Sequence, residues 1–176
     1  MRKFLTMIVI LGLFAAAPLA AQQFEVKPGP EHAFLKGGEG VWDATAKSMG
    51  GDSKGVLHCK IDLNGLWLLE HYKGEAGGQA FEGRGATSYD PAKKKFVNVW
   101  IDSMVPAPMI SEGSYDKAKK TMTLVGEMPM PDGKSMKSSV TIVYKDANTK
   151  ILSLKGTLPD GKEFEMVEIT YKRRAK

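Results

Sequence analysis

The residues able to do chemistry in this chain are few, and most stand singly inside runs of strand-like sequence. Four charges fall where strands should be covered: Glu70, Arg84, Asp102 and Glu168. A charge inside a closed sheet must be paired or solvated, because desolvating it alone costs several kcal/mol. Arg84 with Asp102 is the preferred internal pair. Two readings stay open for the set. The charges face outward or form ion pairs that only fix strand register. Otherwise they ring a pocket with Trp100, a polar anchor inside an aromatic wall.

The three histidines are His32, His58 and His71. His32 is the functional candidate, since a short helix at a barrel mouth can hold it over a cavity; capping or packing is its simpler role. His58 and His71 alternate with apolar neighbours and are expected to face out. No two histidines have local metal-ligand spacing, so no metal and no cofactor are expected. Cys59, the single cysteine, lies in phase with Leu57 and Ile61 and reads as a buried structural thiol. There is no Gly-x-Ser-x-Gly elbow and no evident base beside Cys59, so nucleophilic catalysis finds no support. Ten methionines include Met104, Met109, Met128 and Met130 in or beside proline-stiffened loops. An adaptable apolar rim at a barrel mouth accounts for them more simply than copper(I), for which bare thioethers are weak ligands.

The elements that must position these residues are short strands. Tyr89-Asp90-Pro91-Ala92-Lys93-Lys94 returns as Tyr115-Asp116-Lys117-Ala118-Lys119-Lys120, and more loosely from Tyr144; Pro131-Asp132-Gly133-Lys134 returns as Pro159-Asp160-Gly161-Lys162. Each copy sits between alternating or β-branched runs, the signature of hairpins. Strands are predicted over 41–48, 55–62, 66–73, 79–88, 95–103, 109–115, 120–127, 136–145, 150–157 and 163–172. Before them, Pro30 opens a short helical turn that glycines close. No helix-period segment follows residue 38, which excludes a βαβ fold. The expected fold is therefore all-β: one antiparallel up-and-down barrel of about ten strands with a short N-terminal helix. Val140, Ile142 and Tyr144, Met122 and Leu124, and Leu152 and Leu154 should point inward. Residues 96–102 have no soluble face: Val97, Val99 and Ile101 alternate with Phe96, Asn98, Trp100 and Asp102. An amphipathic cavity explains such a strand, and a closed sheet of this size has room for a small ligand.

Residues 1–21 read as a cleaved signal peptide: Arg2 and Lys3, an apolar run from Phe4 to Ala17, then small residues with cleavage near Ala20 or Ala21. A linker over 22–29 and one barrel domain over 30–176 follow. The product is expected in the periplasm or outside the cell, with no membrane span in the mature chain, since the apolar run falls short of ~20 residues. Removing Arg2 and Lys3 from the formal charge of +5 leaves +3, spread over turn lysines that keep sheet edges soluble. No face collects that charge, so no nucleic-acid partner is expected.

A short helix followed by Gly40-x-Trp42 resembles the opening of the lipocalin and calycin barrels. That resemblance implies a tryptophan closing the barrel floor and a basic residue of the last strand, Arg173 or Arg174, packed across it. A haem barrel of the same architecture needs an axial histidine, and none follows residue 71. More specifically, Gly78 to Gly85, Tyr89-Asp90, Phe96 to Met104 and Glu112-Gly113-Ser114-Tyr115-Asp116 resemble the bacterial family catalogued as domain of unknown function 1579. The likeness continues through Pro30-Glu31-His32, Leu35, Pro159 to Phe164 and Glu168-Ile169-Thr170-Tyr171, over essentially the whole mature chain. Ser88 stands where that pattern has glycine, which predicts a less tight bend. The resemblance implies a calycin-like barrel and brings no activity.

Three functions fit. The leading one is a non-catalytic barrel binding a small hydrophobic or amphipathic ligand, with Trp100, Tyr89 and Phe81 as wall and Arg84 or Asp102 as anchor. The second is an enzyme using Asp102 or Glu70 as general base and Arg84 against developing negative charge. The third is an envelope interaction module with a filled interior.

Overall fold

Five aspartates make the turns that the repeats announce. Asp90 Oδ1 accepts from the N–H of Ala92 at 2.9 Å and of Lys93 at 3.1 Å. Asp116 accepts from Lys119 N at 3.0 Å and Asp146 from Asn148 N at 2.7 Å. In the Pro-Asp-Gly turns, Asp132 accepts from Lys134 N at 3.1 Å and Asp160 from Lys162 N at 3.0 Å. A side chain that takes its own turn's backbone donors ends one strand and starts the next.

The structure, a computed structural model, describes residues 27–175. The signal peptide expected over 1–21 and the linker as far as residue 26 lie outside the described residues. After α1 (Pro30–Lys36) come β1 (Gly40–Ser48), β2 (Gly51–Asp62), β3 (Trp67–Ala76), β4 (Gln79–Asp90) and β5 (Lys95–Asp102). Then follow β6 (Met109–Asp116), β7 (Thr121–Pro129), β8 (Ser135–Asp146), β9 (Thr149–Thr157) and β10 (Glu163–Arg173). Each strand pairs antiparallel with its neighbour in sequence, and β10 pairs with β1 to close a ten-stranded up-and-down barrel. The expected strands match closely. β2 starts earlier and β3 ends later than predicted, because the ladders run on to tight glycine turns. One of these is Gly77-Gly78, where both residues have positive φ (58° and 77°), as a two-residue hairpin requires. Ser88 loosens no bend: it lies within β4, and its hydroxyl donates to the Leu66 carbonyl at 2.7 Å.

The period of two sorts the faces. Trp42, Ala44 and Ala46 of β1, Leu57 and Cys59 of β2, Leu68 and Tyr72 of β3, Met122 and Leu124 of β7, Val140 of β8 and Tyr171 of β10 are buried on the inside. Ile142, Tyr144, Leu152 and Leu154 pack against them, as the alternation predicted.

One end of the barrel is closed. Trp42 is 2% exposed, and its indole N–H donates to the Gly38 carbonyl at 3.0 Å. The Arg173 guanidinium lies 4.0 Å from the Trp42 ring centre, a cation–π contact worth ~0.5–2 kcal/mol. The same group donates to the carbonyls of Gly37 at 2.7 Å, Ala147 at 3.0 Å and Glu39. Arg174 instead pairs outside with Asp43. Helix α1 plugs the remaining gap: Phe34 stacks on Tyr115 at 3.9 Å and meets Phe96 and Tyr144 edge-on at 5.8 and 5.3 Å. Among the described residues no helix is long and apolar enough to cross a membrane.

Candidate functional site

The far end of the barrel is built differently. Cross-strand register carries one inward row from Cys59 through Glu70 and Gly85 to Trp100 and Met109. A second row runs Leu68, Thr87, Asn98, Ser111, Gly126, Ser138, Gly156. Trp100 lies flat on bare backbone: a Cβ on Gly83 would come 2.1 Å from its Cζ2, and one on Gly85 3.1 Å from its Cε3. Only glycine leaves room for an indole this close to the strand. Phe81, Trp100, Met109, Leu154 and Ile169 face inward and are half-buried.

Asp102 faces the lumen and is fully engaged. It accepts from Trp100 Nε1 at 3.0 Å, from Met104 N at 2.8 Å and from Val105 N at 3.3 Å. It therefore orients the indole and caps the loop after β5. The expected Arg84–Asp102 pair does not form. Gly83 is level with Asp102, so Arg84, one residue on, points to the opposite face. There Arg84 meets Glu82 Oε1 at 3.2 Å, and Glu82 also takes a 2.6 Å contact from His71 Nε2. These bonds hold the Glu82 carboxyl below the usual carboxylate range. Glu168 is likewise outward, level with Lys47 and Ser153, and is no lumen residue.

Glu70 is a lumen group. Burial is the first cause that pushes its carboxyl pKa up, opposed by the charge of Lys150 and by contacts with Cys59 and Thr87. Cys59 Sγ lies 3.9 Å from Glu70 Oε1, and burial raises this thiol to about 12, as an inert structural cysteine requires. Tyr89 is on the inner face near the closed end, edge-on to Phe96 at 5.2 Å, and so packs at the floor. His32 does not hang over the cavity: its Nδ1 accepts from Gly29 N at 3.0 Å at the start of α1, and its ring meets Tyr89 edge-on. His58 and His71 face out and are level with one another. They line a groove of about 410 Å³ on the outer wall with Val41, Leu69 and Arg84. That groove is open, and His71 and Arg84 in it are already bonded to Glu82. Among the described residues no group of three or more His, Cys, Asp or Glu is arranged to hold a metal ion.

Two lumen groups escaped the reading of the sequence. Lys150 is 4% exposed, with its Nζ 4.8 Å from the Trp42 ring centre and 5.1 Å from that of Tyr171. Its signal was phase, since it stands two and four residues before the inward Leu152 and Leu154. Its place in a lysine-rich turn repeat hid it. Ser111 is 2% exposed, and its hydroxyl has no hydrogen-bond partner among the described residues. Buried hydroxyls are normally satisfied, and this one is an exception among the described residues.

Residues 27–173 match the family described as protein of unknown function (DUF1579). A search of curated proteins gave no match. Similar solved structures include a de novo designed fluorescence-activating β-barrel: 14% identity, 77% of this chain and 93% of that one, TM-score 0.43. Another is a redesigned β-barrel, mFAP0, bound to DFHBI: 15% identity, 77% of this chain and 97% of that one, TM-score 0.41.

Proposed function

The chain belongs to the DUF1579 family of proteins of unknown function, and we propose that it is a non-catalytic barrel whose lumen binds a small hydrophobic or amphipathic molecule. The observation that carries this reading is the Trp100 shelf, an indole laid on Gly83 and Gly85 and held by Asp102. Rings packed over strand glycines recur as a packing device, so what favours a ligand is that this ring stays half-buried with its orientation fixed by a carboxylate. A flat aromatic wall beside half-buried Phe81 and Met109 is what a small apolar ligand needs. The acid–base alternative loses its pair, because Asp102 is engaged by three donors and the described contacts of Glu70 include no second carboxylate.

The test is a titration with the neutral probe N-phenyl-1-naphthylamine. Saturable one-to-one binding is expected, weakened about tenfold in Trp100→Ala, a loss of about 1.4 kcal/mol. Ile110→Thr, on the exposed outer face of β6, should leave binding unchanged. Binding that ignores Trp100→Ala but drops with Ile110→Thr would place the probe outside the barrel and sink the proposal.

A further inference from the structure

We propose that the ligand is an amphipathic acid, its carboxylate seated on Lys150 and its hydrocarbon tail lying along β8, β9 and β10 toward the end of the barrel opposite Trp42. This names the ligand class for the lumen site and rests on the binding reading above.

Lys150 is the starting point. A lysine this buried is rare unless paired. Among the described residues no ion pair forms at it, and the contacts of its Nζ are the rings of Trp42 and Tyr171. Aromatic faces attract a cation but leave its N–H donors unused. The Glu70 carboxyl interacts with the charge of Lys150 without a described ion pair, and burial pushes it toward its neutral form. The other titratable groups of this floor, Cys59, Tyr144 and Tyr171, are all pushed further from ionising. None of these described groups forms an ion pair or hydrogen bond with Lys150, so an incoming anion finds its donors unused.

The inner face leading to Lys150 is apolar. Leu152 is level with Ile142 and Ile169, and Leu154 with Val140 and Val167, all on the inner face. From Lys150 to Leu154 this strip runs about 13 Å at the rise of a strand, the reach of a medium alkyl chain. One buried cation suits a singly charged head; a doubly charged phosphate would leave charge uncompensated.

The experiment titrates delipidated full chain with decanoate and with decan-1-ol, following tryptophan emission. Wild type should bind decanoate about tenfold tighter or more, the scale of a charge-assisted hydrogen bond. Lys150→Met should abolish that preference and leave decan-1-ol affinity in place; Lys150→Gln is a second variant should the first not fold. Equal affinities in wild type, or a preference that survives both variants, overturns the acid assignment and leaves the lumen site standing. Failure of both ligands to bind overturns the two together.

Discussion

Glu70 and Asp102 both face the lumen, and their neighbours divide their roles. Asp102 spends its oxygens on Trp100, Met104 and Val105, so its work is positional. Glu70 has a long thiol contact and a threonine, and desolvation governs it. An acid whose pKa is raised by folding binds its proton more tightly in the native state. Stability therefore falls as pH rises from the unfolded value, near 4.5, through the folded one. Glu70→Gln keeps the shape and removes the titration. The difference in melting temperature between Glu70→Gln and wild type should grow from pH 4 toward pH 7 in favour of the variant. A flat difference would mean that Glu70 ionises in the native lumen at little cost. The residue types at both positions were legible as covered charges. Their division was not, since it depends on which donors the fold brings to each carboxylate.

At the scale of strands, alternation gave the faces of β7, β8 and β9 correctly, because one face is buried and the other wet. It failed at Arg84, because placing both Phe81 and Arg84 in the lumen put residues three apart on one face of β4, which period two forbids. One residue of offset separates an internal ion pair from two groups on opposite sides of a wall. The β4–β5 pair also explains the glycines at 83 and 85, which look like weak strand formers until Trp100 is seen lying on them. Gly83→Ala should force the indole off its shelf at a cost of about 1–3 kcal/mol by overpacking. A shifted tryptophan emission and a lower urea midpoint would show it; an unchanged spectrum and midpoint would mean that the shelf is not tight.

For the whole molecule the decisive contact is closure. Arg173 ties the last strand to the Trp42 floor, to the carbonyls of Gly37 and Glu39 after α1, and to Ala147 in the turn before β9. Arg173→Ala should cost about 1–3 kcal/mol, a range lowered for the partial exposure of the side chain. Urea denaturation measures it. Arg173→Lys should recover only part, because an ammonium cannot reach three carbonyls in one plane. Full recovery by lysine would show that charge alone closes the barrel.

By itself the sequence determined the class, the number of strands and the inward faces of β7, β8 and β9. These rest on period two and aspartate turns, both local signals, while the floor followed from the resemblance that Gly40-x-Trp42 carries. Only the tertiary structure decided what shares the lumen. Lys150 belongs to a turn repeat in sequence and to the floor in space, and Glu70 reaches it only because the barrel closes. Ser111 is an ordinary serine until its neighbours on β5 and β7 leave its hydroxyl with nothing to bond. Such pairings join residues far apart in the chain. No pattern along one strand records them, since shear and register arise only when ten strands close on each other.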